Sequence, residues 1–203
     1  MVTDSDPKNK ISSNYNTVLA VQQKMFSRSF LGAFFLNREK IGEDEFTNDQ
    51  EDFNRVLGVD YNLQSKDNKW VGKAWYHKSF ETNNNENNFS NGFRIYYNSR
   101  KNNFRLFTGQ KSEKFASDLG FIQRTGVKSH FLNYSHRLWI DSKKIRSIEL
   151  SQQLYLVNKP NLTNLITDRN YETKGEISFM NQSKLELQYN RKYTFLLTRD
   201  LHP

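Results

Sequence analysis

The chain lacks cysteine and has only three prolines among its 203 residues. The absence of cysteine excludes disulfides, thiolate metal sites and cysteine nucleophiles. No stretch approaches the roughly 18–20 consecutive apolar residues that a membrane-spanning helix needs. The first ten residues, MVTDSDPKNK, are polar and have no apolar core. We therefore predict no signal peptide within this chain.

The motifs of common catalytic sites are also missing. The sequence contains no G-x-S-x-G, no phosphate-binding loop and no Rossmann glycine pattern, and its four histidines form no HxH or HExxH spacing. The acidic residues at 43–45 and 49–52 lie in a hydrophilic connection that lacks EF-hand spacing. We predict no enzyme activity, no catalytic residue, no metal site and no cofactor.

The charge is positive but spread out. Thirty Lys and Arg oppose 22 Asp and Glu, giving a net charge of +8, yet no long basic run or nucleic-acid motif occurs. This pattern predicts a solvated surface and no nucleic-acid partner. Hydrophobic residues make up 35% and aromatics 14% of the chain. A composition both polar and aromatic suits strands with one apolar and one polar face.

Short runs that alternate apolar and polar residues fill most of the sequence. They predict an all-β, antiparallel up-and-down meander of about ten long strands. Such a meander fits part of a membrane β-barrel that is open or incomplete. Asn, Asp, Gly and Lys clusters mark the turns between the runs. The predicted strands cover residues 16–26, 28–38, 52–64, 69–80, 89–99, 102–110, 127–139, 145–158, 166–180 and 183–198.

The strands are long, at about 10–13 residues, and a tilted strand needs about 9–11 residues to cross a bilayer. An outer-membrane barrel wall is apolar outside and polar inside. Alternation alone does not say which face meets water, so a soluble lipocalin-like barrel remains an alternative at this point. Under the membrane interpretation, the polar residues predicted to face the lumen include Asn54, Asp60, Asn62, Arg94, Glu186 and Gln188.

One segment, SEKFASDLGFIQRTG at 112–126, does not alternate. Ser112 is a suitable N-cap, and Phe115 and Leu119 have the four-residue spacing of one helical face. Gly120 suits the left-handed position that ends a helix. We predict one short helix over residues 113–119.

Three stretches resemble a family of Bacteroidota proteins known as domain of unknown function 5916. KFASDLGFIQRTG is similar to its F-x-x-x-x-G-F-x-x-R motif, FSRSFLGAFFLNRE at 26–39 to its r-S-x-x-G signature, and FNRVLGVDYNLQ at 53–64 to its N-x-x-G-x-D strand. The three stretches occur in the family's order. The residues that match the motifs are Arg28, Ser29, Gly32, Asn54, Gly58, Asp60, Gly120, Phe121 and Arg124.

The resemblance implies a barrel-like region in the cell outer membrane with no established activity. It implies structural roles for the matching residues, with the glycines allowing close packing or strand bending. Arg124 is expected to pair with Asp118 or Asp60. Proteins of this family often carry a carbohydrate-binding module of the family-nine type before the barrel region. This chain lacks that module, so we expect it to be a fragment, irregular over 1–15 and barrel-forming over 16–203.

The sequence therefore predicts an outer-membrane β-barrel segment of structural or transport type, whose partners are membrane lipid and, through the separate module, glycan. Two alternatives stay open. The first is a soluble lipocalin-like ligand-binding domain. The second is part of a carbohydrate-active hydrolase whose catalytic residues lie outside this chain.

Overall fold

The computed structural model describes residues 1–6, 8, 12–26, 28–42, 52–82 and 86–195. They form a single sheet in which each strand pairs with the next along the chain, in the order β1 to β11. Among the described residues no pairing joins β1 to β11, so the sheet is open. The strands are β1 Val2–Thr3, β2 Asn14–Met25, β3 Ser29–Lys40, β4 Phe53–Gln64, β5 Trp70–Glu81, β6 Phe89–Asn98, β7 Asn102–Lys111, β8 Val127–Trp139, β9 Ile145–Lys159, β10 Leu165–Phe179 and β11 Lys184–Thr194.

The predicted all-β meander is confirmed. All ten predicted strands form, and their boundaries agree within two residues apart from the end of the last one. The last prediction extends to residue 198, and residues 196–198 lie outside the described part of the chain. Strand β1 was not predicted, and its two residues pair with Asn14 and Tyr15 of β2. Two residues are too few to show any alternation.

The chain divides into two compact units. The first unit comprises Met1–Asn62, Ala74–Gly92 and Gln110–Gly126, and the second comprises Leu63–Lys73, Phe93–Gly109 and Val127–Pro203. Several strands contribute residues to both units.

In the first unit, register aligns apolar residues in rows across neighbouring strands. Leu19 pairs with Phe35, which pairs with Leu57, and Val21 pairs with Ala33, which pairs with Val59. Because side chains alternate along a strand, these residues share one face, which we call the apolar face. The opposite, polar face carries Arg38 on β3, its cross-strand partner Asn54 on β4, and Asp60 further along β4.

The second unit repeats the pattern across β8 to β11. Its apolar face includes the row of Leu138, Ile148, Ile177 and Leu185, while Arg137, Glu149, Glu176 and Glu186 form a row on its polar face. Register shifts in the β9–β10 pair lie between Ile166 and Asp168 and between Ser178 and Phe179. A β-bulge of this kind bends a strand locally and increases its twist. Apart from these shifts, the register runs continuously, so each face keeps its character along the strands.

The short helix predicted over 113–119 is wrong, because those residues form turns and irregular backbone. Several backbone N–H groups of this segment donate to acceptors that are distant in sequence. The N–H of Lys114 donates to the Asn87 carbonyl, that of Ala116 to the Ser79 hydroxyl, and that of Asp118 to the Asn54 side chain. A seven-residue helix is only marginally stable by itself. Hydrogen bonds to these tertiary acceptors therefore form in place of hydrogen bonds within a helix. Gly120 is not among the residues with positive φ, whereas Gly126 is, at 68°.

Candidate functional site

Burial in this protein is inverted relative to an ordinary globular domain. Among the described residues only four hydrophobic side chains are buried, namely Val56, Phe115, Val127 and Val157. Within the same described ranges, twelve polar residues are buried, nearly all of them Ser and Asn. Soluble domains bury Ile, Val, Leu and Phe preferentially and keep most Ser and Asn outside. The side of the sheet that packs is therefore the polar one.

The apolar face of the first unit carries a continuous exposed patch, which we call the apolar belt. It crosses β2 to β5, and Leu57 and Val59 at its centre are each 50% exposed. Beyond one end of the belt, Glu39 on β3 pairs across the strands with Tyr15 on β2 and with Phe53 on β4. This row combines one carboxylate with two aromatic rings. The belt consists of Leu19, Val21, Ala33, Phe35, Leu57, Val59 and Tyr76.

A groove of about 600 Å³ runs over the apolar belt. Its lining is apolar except for Lys78, which lies beside Phe80 on β5, with the Nζ atom 5.5 Å from the centre of the Phe80 ring. Lys78 was not anticipated from the sequence. The available signal was a lone cation among Ala74, Tyr76 and Phe80 on the same face of that strand.

The polar face of the first unit is covered by the segment 112–118. Asn54, which is 3% exposed, donates from Nδ2 to Glu81 at 3.1 Å and to the Ala116 carbonyl at 3.5 Å. Its Oδ1 accepts from the Asp118 N–H at 3.0 Å. Ser112 ties the start of the segment to β6, accepting from the Phe89 N–H at 2.6 Å and donating to the Phe89 carbonyl at 2.8 Å. This side chain network replaces a hydrophobic core.

The structure brings together the three stretches that carry the family resemblance. Arg38 from the first pairs with Asp118 from the third, and Asn54 from the second binds the backbone of the third. Asp118 thus pairs with Arg38, and an Asp60 carboxylate oxygen accepts from His77 Nε2, 2.9 Å away. The pairing of Arg124 with Asp118 or Asp60 stays a prediction. The sequence analysis overlooked Arg38, which lies within the first stretch and pairs with Asp118.

Gly58 is the one motif glycine whose packing requires the absence of a side chain. A Cβ there would lie 2.2 Å from the Phe34 ring, which crosses Gly58 from the paired strand. The Phe34 ring also meets His77 edge-on, with ring centres 5.0 Å apart. A Cβ on Gly32 would have ordinary contacts at 3.7 Å or more. The close approach of the Phe34 ring therefore explains why residue 58 is a glycine, whereas packing does not explain the glycine at position 32.

The remaining motif residues are placed as follows. Ser29 is buried at the start of β3, opposite Met25, while Arg28 beside it is exposed. Phe121 is 93% exposed, so it packs little against the described residues. A Cβ on Gly120 would approach the Ser117 hydroxyl at 3.1 Å.

In the second unit, ion pairs link neighbouring strands on the polar face. Arg137 pairs with Glu149, Lys174 with Glu186 at 2.7 Å, and Lys184 with Glu176 at 3.1 Å. Glu186, predicted to face a lumen, is part of this network, and Gln188 follows it on the same face. Asn62 continues the polar face of β4, and Arg94 lies on the opposite side of β6 from Phe93.

Among the described residues, no group of three or more His, Cys, Asp or Glu side chains is arranged to hold a metal ion. The part of the chain that the structure covers contains no helix long and apolar enough to span a membrane. The chain matches no family model, no curated protein and no solved structure.

Proposed function

We propose that the chain is a wall segment of an outer-membrane β-barrel, with its apolar face against lipid and its polar face toward the barrel interior. The role is structural or transport-type rather than catalytic. The cargo of such a barrel would be set by the polar face. The family resemblance points the same way and suggests a longer protein that binds carbohydrate through a separate module.

The inverted burial is the observation that carries this proposal. Leu57, Val59, Leu185 and Leu187 are all at least 50% exposed, while serine and asparagine side chains fill the packed side. Exposing this much apolar surface to water is costly, at about 25 cal/mol for each Å². The same surface is at no disadvantage in the hydrocarbon of a bilayer, where outward residues of a barrel wall are apolar.

Strand closure is a requirement of the proposal. Unpaired backbone groups in hydrocarbon cost several kcal/mol each, so membrane strands occur in closed barrels. The sheet is open among the described residues, and further strand pairing must complete the wall.

The soluble lipocalin-like alternative needs the apolar rows to pack against each other around a ligand. The exposure of Leu185 and Leu187 on β11 disfavours it, as does the burial of Ser79, Ser135 and Ser147. The hydrolase alternative places its catalytic carboxylates outside this chain, so no residue of this sheet supports or opposes it. The inverted burial favours the membrane proposal over the lipocalin-like alternative.

The absence of cysteine allows a direct test with single-cysteine variants. Leu187→Cys and Gln188→Cys introduce neighbouring, exposed labelling sites on opposite faces of β11. Each variant is labelled with an environment-sensitive fluorophore and refolded with vesicles containing nitroxide lipids. We expect strong quenching at 187 and weak quenching at 188.

A labelled but unfolded chain mixed with the same vesicles provides the control for nonspecific adsorption. Equal quenching at the two positions, stronger quenching at 188 or none at either would each contradict the proposal. A water-soluble monomer with native-like strand content and no vesicle uptake would favour the lipocalin-like alternative.

A further inference from the structure

The groove over the apolar belt has a polarity gradient along its length. Leu57, Val59 and Val21 line it with hydrocarbon, while Lys78 supplies a charge. The β4–β5 turn is closed by a hydrogen bond from the Ser65 N–H to the Trp70 carbonyl, and Phe80 lies toward the far end of β5 from that turn. Arg55 lies near the start of β4, so in this antiparallel pair Arg55 and Phe80 share one end. The groove is therefore apolar along the belt, Lys78 supplies the charge in its lining, and Arg55 lies outside the lining, toward the Phe80 end.

The two cations differ in how much charge they leave for a ligand. Arg55 stacks on Phe53, 4.3 Å from the ring centre, donates to Asn37 at 2.8 Å and lies 3.5 Å from a Glu39 carboxylate oxygen. Glu39 thus offsets part of its charge. For Lys78, no carboxylate within ion-pairing distance occurs in the described parts of the chain. Lys78 is the stronger candidate to bind an anion.

We propose that this groove binds an anionic phospholipid, with an acyl chain along the apolar belt and the phosphate at Lys78, assisted by Arg55. This inference rests on the proposed function, because it places the apolar face in lipid. The groove volume of about 600 Å³ lies within the about 300–1,000 Å³ typical of small-molecule sites. A phosphate matches the cation at the end of the groove, and a hydrocarbon chain matches the lining.

Charge selectivity tests the site directly. The whole chain, held in a zwitterionic detergent, is titrated calorimetrically with dioctanoyl phosphatidylglycerol and with dioctanoyl phosphatidylcholine. We expect the anionic lipid to bind on the order of fivefold more tightly, the effect of one basic residue near anionic lipid. Lys78→Gln should remove that preference, and Arg55→Gln should reduce it less. Lys192→Gln, on the polar face of β11, is the matched control and should leave the preference unchanged.

A second variant tests the acyl-chain part of the groove. Ala33 is exposed and lines the groove, so Ala33→Phe should weaken the binding of both lipids by a similar factor. Inorganic phosphate alone should not displace the anionic lipid, because it lacks the chain. Equal affinity for the two lipids, equal effects of Lys78→Gln and Lys192→Gln, or no effect of Ala33→Phe would each overturn the inference.

Failure of this inference is distinguishable from failure of the proposed function. If the Leu187 and Gln188 labels show the expected contrast but the two short-chain lipids bind equally, only the lipid site is wrong. If the labels show no contrast, the placement of the apolar face in lipid is wrong as well. A dimer that takes up neither lipid would assign the groove to a second copy of the chain and also overturn the inference.

Discussion

The two units stabilise their polar faces by different interactions. In the first unit, the neutral side chains of Asn54 and Ser79 bind the backbone of the segment 112–118, and the Arg38–Asp118 ion pair is added to these hydrogen bonds. In the second unit, charged side chains link strand to strand, as in the pairs Arg137–Glu149 and Lys174–Glu186. Neither unit relies on a hydrophobic core. A polar face can thus be packed either by buried hydrogen bonds or by ion pairs.

The apolar faces differ too. In the first unit, the apolar belt of seven residues is interrupted by no polar side chain along its two cross-strand rows. In the second unit, His136, Gln152, Thr173 and Arg191 lie among leucine and tyrosine on the corresponding face. If lipid is the solvent of this face, the first unit offers it the more uniform surface.

The largest contrast between the units concerns two strand glycines. Gly58→Ala puts a Cβ 2.2 Å from the Phe34 ring, and we expect a loss of about 3 kcal/mol in the free energy of unfolding, since overpacking forces side chains out of place. At Gly175 in the second unit, no atom lies within 4 Å of an added Cβ. Gly175→Ala should change stability by less than about 0.5 kcal/mol. Urea unfolding of both variants checks this, and equal effects would refute the packing account of Gly58.

A smaller loss is expected when the first unit's hydrogen-bond network is broken. Asn54→Ala leaves the Asp118 N–H and the Glu81 carboxylate without a buried partner, at a cost of about 2 kcal/mol. The Asp118 amide should also exchange its hydrogen faster. Asn133→Ala in the second unit loses one exposed hydrogen bond to the Gln152 carbonyl and should cost little. Unchanged exchange at Asp118 would show that Asn54 does not hold the segment 112–118.

The ion pairs of the second unit should respond to salt. Lys174 lies 2.7 Å from Glu186 and 3.8 Å from Glu176, and Lys174→Gln should cost about 1 kcal/mol at low ionic strength. The cost should shrink at about 1 M NaCl, where the Debye length is about 3 Å. The cost of Asn54→Ala should not change with salt. Denaturant unfolding of both variants at two salt concentrations measures these costs. An equal salt dependence of the two costs would contradict the distinction between ion pairs and neutral hydrogen bonds.

The smallest predicted effect lies in the β4–β5 turn. The pKa of Asp67 is lowered from 3.8 to about 2. The largest cause is the Ser65 hydroxyl, which donates to Asp67 at 2.7 Å, and the next is Lys69. Because the pKa is lowered in the folded state, the stabilisation is present above about pH 4 and is lost as the pH falls through about 2. Ser65→Ala should raise the Asp67 pKa more than Lys69→Gln does, as measured by NMR titration. The reverse order would show that the charge of Lys69 dominates.

The strand pattern was predictable because it is a local property. In β4 and β11, apolar and polar residues alternate along most of each strand, with Arg55 and Arg191 as exceptions in the apolar rows, and Asn, Asp and Lys clusters mark the turns. The irregular backbone of the segment 112–118 was not predictable. Its helical signals are local, whereas the groups that accept its backbone hydrogen bonds, Ser79 and Asn54, lie on strands distant in sequence.

The candidate site was predictable only in part. The sequence identified Asn54, Gly58 and Asp60 by resemblance, and all three lie on the packed polar face. It missed Arg38 and Lys78, because an isolated cation on a strand gives no sign of whether it meets a carboxylate or lines an apolar groove. The burial of the serine side chains could not be predicted either, because it depends on residues of other strands that pack against them.

The central claim is that the apolar rows of both units face lipid, and spin-label accessibility along β2 and β11 tests it most directly. Single cysteines at residues 18–23 and 185–190 would carry nitroxides in the vesicle-bound chain, with collision rates measured for oxygen and for a water-soluble nickel reagent. The account predicts a two-residue period in both strands, with oxygen access highest at Leu19, Val21, Leu185, Leu187 and Tyr189. A flat profile, or oxygen access highest at Gln22, Glu186 and Gln188, would contradict it.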